Sequence, residues 1–207
     1  MYEHIIWDFD GTLFNTYPVM TKSFIRALKD EGINESTERV MSLMKVSATH
    51  LIEYCQNKYE ISEEFITRYN SYRKEDEKNH IKPFLDIEDI CKRISLEKRN
   101  NYLFTHRGKS AIDFLKKFEI YGYFSDLITK ENNFKRKPDP EAILYLIDKY
   151  HIRKHEALMI GDRDIDLLSA KNAGIDACFF SNQKVSDSKI ADYTITNFIE
   201  LLNIIGI

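Results

Sequence analysis

The chain of 207 residues contains little cysteine, proline or glycine, with three, four and seven residues respectively. The three cysteines, Cys55, Cys91 and Cys178, lie far apart and match neither a disulfide framework nor a zinc-ligand spacing. We therefore expect them to be small core residues in the reducing cytoplasm. The scarcity of glycine and proline excludes a collagen-like or low-complexity chain.

Long apolar runs and basic blocks are also missing. No stretch is long enough to span a bilayer, and Asp8 and Asp10 interrupt the only apolar run near the N-terminus, so we expect neither a signal segment nor a membrane partner. The net charge of -3 and the short basic clusters argue against a nucleic-acid partner. Apolar residues make up 43% of the chain, enough for the core of one domain or of one domain with a smaller insertion.

Two hydrophobic patterns divide the chain. From Tyr17 to about His80, apolar residues recur at helical spacing without a strand-like run, which predicts three or four helices. Strand-like and helix-like segments alternate in the rest, with strands expected near residues 2–7, 101–105, 126–129, 157–160, 176–180 and 193–195. The alternation predicts an α/β fold, a doubly wound parallel sheet, with a helical domain inserted after the first strand. We expect a core domain of residues 1–14 and 84–207 and a helical domain of residues 15–83.

Two carboxylates, Asp8 and Asp10, leave the first predicted strand and are followed by Gly11 and Thr12. Like charges so close together repel, and a bound cation or phosphoryl chemistry gives a reason to place them there. In open α/β sheets, ligands bind at the carboxyl ends of the strands. Taken alone, the same residues also fit an acidic turn, because Asp and Gly favour turns.

Three further segments carry polar residues at predicted strand ends or helix starts: Thr105-His106-Arg107, Lys137-Pro138 and Gly161-Asp162-Arg163-Asp164-Ile165-Asp166. Each alone has an ordinary interpretation as a strand-end hydroxyl, a solvated lysine or a pair of helix N-terminal acids. In this order, together with Asp8-Phe9-Asp10-Gly11-Thr12, they resemble the four motifs of the haloacid dehalogenase superfamily. The helical segment after the first motif resembles the subfamily with a helical cap, which includes phosphoglycolate phosphatase and β-phosphoglucomutase.

The resemblance implies a Rossmann-like core with an inserted cap and a Mg²⁺-dependent hydrolysis of a small phosphate monoester. Asp8 is then the nucleophile that forms an aspartyl-phosphate, and Asp10 is the general acid and base. The same resemblance implies that Mg²⁺ binds Asp8, the main-chain carbonyl of Asp10, and Asp162.

Other residues of the motifs receive supporting roles from the resemblance. Thr105 is expected to hydrogen-bond a phosphoryl oxygen, and Lys137 to place a positive charge beside the nucleophile and the phosphate. Asp166 is expected to hold Lys137 and the metal-bound water in position without binding the metal directly. His106 and Arg107 depart from the Asn that commonly follows the second motif, and we expect them to tune substrate choice, Arg107 either by contact or through its field alone.

The partner implied by the resemblance is a small-molecule phosphate ester, and we expect a monomer or a weak homodimer. Lys45, Ser47 and His50 in the predicted cap are candidate substrate contacts, although such residues also occur on ordinary helix surfaces.

Several alternatives stay open. Asp10 argues against dehalogenases and phosphonatases, which lack this second aspartate. Phosphoryl transfer between sugar hydroxyls, as in β-phosphoglucomutase, is the main alternative, although the downstream His of those enzymes is missing from residues 15–20. Phospho-aspartate signalling, as in two-component receiver domains, and a non-catalytic binding role are the remaining alternatives.

Overall fold

The computed structural model describes residues 1–182 and 188–207. It divides into two compact units, a core unit of Met1–Phe14 and Pro83–Ile207 and a helical unit of Asn15–Lys82. The domain boundary predicted from the sequence assigns Pro83 to the helical domain. In the structure it belongs to the core unit, where it forms an antiparallel bridge with Phe14.

The helical unit consists of four helices, α1 (Tyr17–Asp30), α2 (Thr37–Val46), α3 (Ala48–Tyr59) and α4 (Glu63–His80). Helix α1 packs against α4, with the ring centroid of Phe24 lying 5.2 Å from that of Phe65 and 4.9 Å from that of Tyr69. Serine side chains accept hydrogen bonds from main-chain N–H groups at the starts of α2, α3 and α4. Such N-caps satisfy donors that the first turn leaves without a helical partner, which explains where these helices begin.

The core unit is built on a sheet of six parallel strands in the order β3-β2-β1-β4-β5-β6. The strands are β1 (His4–Trp7), β2 (Asn100–Phe104), β3 (Phe124–Ile128), β4 (Ala157–Gly161), β5 (Asp176–Phe180) and β6 (Tyr193–Ile195). The order reverses between β1 and β4, the kind of switch point at which doubly wound sheets bind ligands. The predicted fold class is therefore confirmed. This strand order differs from the order 2-1-3-4-5 of receiver domains. The chain therefore does not have the receiver-domain fold that the signalling alternative requires.

In the described part of the core unit, five helices accompany this sheet: α5 (Ile87–Leu96), α6 (Ser110–Lys117), α7 (Glu141–Tyr150), α8 (Asp164–Ala173) and α9 (Ile199–Ile205). Gly174, whose residue type predicts a helix end, does end α8, with a φ of 78° in the left-handed region that favours glycine. Asp139, directly before the proline that opens α7, is of a residue type that predicts an N-cap, but this prediction is wrong by one residue. Pro140 occupies that position, while Asp139 accepts a hydrogen bond from the main-chain N–H of Glu141 at 3.0 Å.

Both faces of the sheet are buried, which explains why β1 reads as an uninterrupted apolar run. On one face Ile6 lies in a cluster that includes Leu167 of α8. Trp7 packs against Phe198, with 5.9 Å between ring centroids, and donates its indole N–H to the Oδ1 of Asn101 at 2.9 Å. The only buried indole of the chain is thus hydrogen-bonded, as a buried polar group requires.

The three cysteines are buried and carry no disulfide bond, as expected. Among residues 1–182 and 188–207, no helix combines the length and the apolar composition that crossing a bilayer requires.

Candidate active site

The first motif forms a tight turn at the end of β1. The main-chain N–H of Asp8 still bonds to the carbonyl of Ile160 at 2.9 Å, so Asp8 remains attached to β4. Gly11 then adopts a φ of 81° and donates its N–H to the carbonyl of Phe14 at 2.8 Å. Because side chains other than glycine rarely adopt this conformation, the glycine permits the turn. Asp8 is buried, with 1% exposed surface, whereas Asp10 lies in a partly exposed position.

A buried lysine bridges two buried carboxylates. The Nζ of Lys137 lies 2.7 Å from the Oδ1 of Asp8, 2.7 Å from the Oδ1 of Asp166 and 2.7 Å from the carbonyl oxygen of Phe104. These contacts match the three N–H donors of the ammonium. One positive charge therefore faces two negative charges in a site closed to water.

The electrostatic imbalance appears in the pKa values of these groups. Burial, followed by the charge of Asp166, raises the pKa of Asp8, and the charges of Lys137 and Arg163 offset only part of this increase. Burial alone would lower the pKa of Lys137, but the two carboxylates outweigh it and raise that pKa. The site thus holds more negative charge than Lys137 compensates, which favours a further cation.

Three carboxylates, those of Asp8, Asp162 and Asp166, offer oxygen atoms within 4.8 Å of one another. The Oδ2 of Asp8 is buried and has no hydrogen-bond partner among the described residues. Asp166 is held differently, since its Oδ1 contacts Lys137 and its Oδ2 accepts the main-chain N–H of Arg163 at 3.2 Å. Carboxylate oxygens are the ligands of Mg²⁺, so this acidic cluster could hold that ion.

Gly161 allows Asp166 to reach this position. A Cβ atom on Gly161 would lie 2.2 Å from the Cβ and 2.7 Å from the Cγ of Asp166. Neither atom is the far end of a flexible side chain, so a larger residue would displace the carboxylate. The glycine of the last motif therefore serves close packing between the end of β4 and the first turn of α8.

The segment after β2 contacts two of the other three motifs, the one with Asp10 and the one with Lys137. The Oγ1 of Thr105 accepts the main-chain N–H of Arg107 at 3.1 Å. The Nε2 of His106 accepts the main-chain N–H of Lys137 at 2.8 Å. The guanidinium of Arg107 binds the carboxylate of Asp10, with Nη2 2.6 Å from Oδ1. His106 and Arg107 were both expected near the site from the sequence. Their hydrogen bonds with Lys137 and Asp10 were not predicted, because no sequence spacing indicates that these residues meet.

His106 is neutral in this arrangement. Burial, followed by the charges of Lys137 and Arg136, lowers its pKa to about 3. A neutral imidazole has one acceptor nitrogen, and the contact of 2.8 Å with the Lys137 N–H assigns that role to Nε2 and the ring proton to Nδ1. The Nη2 of Arg136, 3.4 Å from Nδ1, then lies beside the ring without a hydrogen bond to it.

The three candidate contacts of the helical unit lie around the junction of α2 and α3. Lys45 is half-buried in the last turn of α2, and Ser47 is the N-cap of α3, where its Oγ accepts the main-chain N–H of His50 at 2.9 Å. His50 is exposed and lines a surface cavity of about 420 Å³ together with Glu53, Tyr54, Asn57 and Lys58. Ser47 thus has a structural role of its own, and the substrate contacts remain predictions.

Comparison with known proteins identifies the family. The model of a family described as haloacid dehalogenase-like hydrolase matches residues 5–180, a range that contains all four motifs. The chain belongs to the haloacid dehalogenase-like hydrolases. The expected superfamily and the expected enzyme class, a hydrolase, are confirmed.

Two curated relatives of this hydrolase carry phosphatase names. Pyrophosphatase PpaX of Oceanobacillus iheyensis is 24% identical over 98% of this chain and 96% of that protein. Phosphoglycolate phosphatase of Vibrio vulnificus is 28% identical over 82% of this chain and 79% of that protein.

Solved structures match the whole chain. A hydrolase from Streptococcus pneumoniae TIGR4 is 30% identical, with a TM-score of 0.70, and the match covers 100% of this chain and 99% of that one. A structure from Haemophilus somnus, described as a predicted phosphoglycolate phosphatase, reaches a TM-score of 0.86 at 21% identity, covering 98% and 97%. The second likeness shows the fold alone.

Proposed function

We propose that this hydrolase is a Mg²⁺-dependent phosphatase that acts on a small phosphate ester through an aspartyl-phosphate on Asp8. The observation that carries the proposal is the buried Asp8, held at Oδ1 by Lys137 while its Oδ2 has no hydrogen-bond partner among the described residues. A carboxylate that is fixed in place yet keeps lone pairs available suits a nucleophile. The phosphatase names of the relatives support the same class of reaction.

The reaction proceeds in two steps on residues of the core unit. The carboxylate of Asp8 attacks phosphorus, the bond between phosphorus and the leaving oxygen breaks, and Asp10 gives that oxygen a proton. Asp10 then takes a proton from water, whose oxygen attacks phosphorus and releases Asp8 and inorganic phosphate. Because one group donates and then accepts the proton, the second step returns both aspartates to their starting state.

Residues around Asp8 stabilise the negative charge of the nucleophile and of the phosphate. Lys137 keeps Asp8 in place and reduces the repulsion between the nucleophile and the phosphate, and Asp166 holds Lys137 from the opposite side. Thr105 donates its hydroxyl hydrogen to a phosphoryl oxygen. Asp8, Asp162 and the main-chain carbonyl of Asp10 would hold Mg²⁺, which would supply further neutralisation of the phosphoryl oxygens.

The helical unit is proposed to act as the cap domain of the subfamily. A cap excludes bulk water during the reaction and contributes specificity. Lys45, Ser47 and His50 are its candidate substrate contacts.

The test is phosphate release from a panel of esters and anhydrides with and without Mg²⁺. The panel contains p-nitrophenyl phosphate, glucose phosphates, 2-phosphoglycolate and pyrophosphate. We expect Mg²⁺-dependent release by the wild type and loss of at least about 10⁴-fold in Asp8→Asn, because the first step then has no nucleophile. Asp113→Asn, a change at an exposed position of α6, is the matched control and should retain activity.

Two outcomes would contradict the hydrolase. Release that is unchanged in Asp8→Asn would remove Asp8 as the nucleophile. No release from any compound, with phosphoryl transfer from acetyl phosphate to Asp8 still detectable, would favour a phosphomutase.

A further inference from the structure

Arg107 is fixed beside the proposed general acid. Its Nη2 lies 2.6 Å from the Oδ1 of Asp10, and its Nε lies 3.1 and 3.2 Å from the two carboxylate oxygens. The side chain of Arg107 is 7% exposed and that of Asp10 is 23% exposed. The guanidinium carbon lies 5.3 Å from the ring centroid of Phe9, and the main-chain N–H bonds to Thr105. The charge of Arg107 therefore has a defined position in the site.

This position places the guanidinium near the leaving group rather than near the nucleophile. In the proposed reaction, Asp10 must hydrogen-bond the leaving oxygen at about 2.6–3.0 Å. The next atoms of the leaving group then lie roughly 6 Å from the guanidinium, given these contact lengths. Lys137, by contrast, binds Asp8 and Asp166. In the proposed reaction Lys137 therefore lies near the transferred phosphoryl group, and Arg107 lies near the leaving group.

When Asp10 carries the proton that it gives to the leaving oxygen, its carboxyl group is neutral and no longer compensates the charge of Arg107. The fixed cation then distinguishes leaving groups by charge. A second phosphate or a carboxylate next to the leaving oxygen is attracted by the guanidinium, and the attraction is strengthened because the site is largely removed from water. A neutral alcohol gains nothing from the same charge. The discrimination does not require a particular donor of Arg107, since a field acts without a direct hydrogen bond.

We propose that Arg107 is a specificity-determining residue that favours substrates whose leaving group carries a second anionic group, a phosphate or a carboxylate, close to the leaving oxygen. This inference rests on the proposed function, because it needs Asp10 to act on the leaving oxygen. It narrows the substrate from phosphate esters in general to phosphate compounds whose leaving group carries a negative charge in addition to those of the transferred phosphoryl group.

The test compares 2-phosphoglycolate with 2-hydroxyethyl phosphate, two esters that differ in whether the leaving group carries a carboxylate. We expect the wild type to prefer 2-phosphoglycolate in kcat/KM by about tenfold or more, and Arg107→Gln to reduce that ratio by about tenfold. Arg107→Lys keeps the charge and should retain part of the preference. Arg93→Gln, at an exposed arginine of α5 paired with Asp89, is the control and should leave the ratio unchanged.

The outcomes separate this inference from the proposed function. Equal losses for both esters in Arg107→Gln would mean that Arg107 only positions Asp10, and would overturn the inference. Hydrolysis of 2-hydroxyethyl phosphate without hydrolysis of 2-phosphoglycolate or pyrophosphate would overturn it too, while the phosphatase assignment would survive. No hydrolysis of any panel compound would overturn both.

Discussion

The imidazole of His106 and the main-chain nitrogen of Lys137 are joined by a hydrogen bond of 2.8 Å, with Nε2 as the acceptor. The bond connects the end of β2 to the loop that carries the buried lysine of the site. It requires a neutral ring, because a protonated imidazole has no acceptor nitrogen. His106 thus holds the Lys137 loop in place only while it is unprotonated.

We expect His106 to make the protein less stable in acid. Burial and then the charges of Lys137 and Arg136 lower its pKa to about 3, against the ordinary histidine pKa of 6.5 that applies to the unfolded chain. Between these pH values the unfolded state binds the extra proton, so the free energy of unfolding falls as the pH drops from about 6.5 toward about 3. Because the ring is partly exposed, this group should contribute about 1 kcal/mol between roughly pH 7 and pH 5.

Urea unfolding of the wild type and of His106→Gln at both pH values checks this expectation. Glutamine offers an acceptor oxygen but does not titrate, so the variant should lose about 1 kcal/mol less than the wild type. If the free energy of unfolding falls equally in both proteins, the pKa of His106 is not lowered in the native state.

Removal of Lys137 should destabilise the fold strongly. Lys137→Met leaves the carboxylates of Asp8 and Asp166 buried without their cation, and we expect a cost of about 3–5 kcal/mol in urea unfolding. Adding Asp166→Asn to this variant should restore part of the loss, because one buried charge is then removed.

The control for this comparison is Lys149→Met. Lys149 is exposed and pairs with Asp126 at 2.8 Å, a surface ion pair whose loss should change the free energy of unfolding little. A similar cost for both lysine variants would contradict the special role of the buried one.

Mg²⁺ should stabilise the protein through the acidic cluster. A ligand that binds only the native state raises the melting temperature, by roughly 5–10 °C for a chain of this size at about 100 times Kd. Thermal unfolding with and without Mg²⁺ should show this shift in the wild type and lose most of it in Asp162→Asn.

A second cluster of possible metal ligands provides the control for the Mg²⁺-binding experiment. Glu3, His4 and Glu156 also offer ligand atoms within 4.8 Å of one another, next to the starts of β1 and β4. Glu3→Gln should keep the full Mg²⁺-dependent shift. If Glu3→Gln removes the shift and Asp162→Asn does not, Mg²⁺ binds at the other end of the sheet.

Gly161→Ala should disrupt the site by steric overlap. The added Cβ would meet Asp166 at 2.2 Å, and such overpacking costs about 1–3 kcal/mol, with loss of activity as Asp166 moves away from Lys137. Gly122→Ala is the control, since a Cβ there meets no atom within 4 Å. Thermal unfolding and phosphate release of both variants test this, and normal behaviour of Gly161→Ala would contradict the packing argument.

Much of the fold was predictable because its signals are local. The apolar run of β1, the helical spacing between Tyr17 and His80, and Gly174 at the end of α8 each depend on a few neighbouring residues. Exact bounds were less predictable. The sequence pattern predicts a helix from Asp166, but α8 begins at Asp164. Pro140 likewise replaces Asp139 as the N-cap of α7, because individual hydrogen bonds decide these ends.

The candidate site was predictable only in part. The motifs lie at strand ends, and parallel strands bring their carboxyl ends to one edge of the sheet, so Asp8, Lys137 and Asp166 could be expected near one another. The contacts of His106 with Lys137 and of Arg107 with Asp10 could not be read from the chain. They join residues 31 and 97 positions apart, and they depend on loop conformation and side-chain rotamers that no sequence pattern encodes.

The measurement that tests the central claim most directly is the detection of phosphoryl-Asp8 by mass spectrometry. The enzyme is quenched in acid during turnover of its best panel substrate with Mg²⁺ present, and the modified peptide is sequenced. We expect a phosphoryl group on Asp8 in the wild type and none in Asp8→Asn. Phosphate release by the wild type with the phosphoryl group on another residue, or at an unchanged rate in Asp8→Asn, would contradict the account.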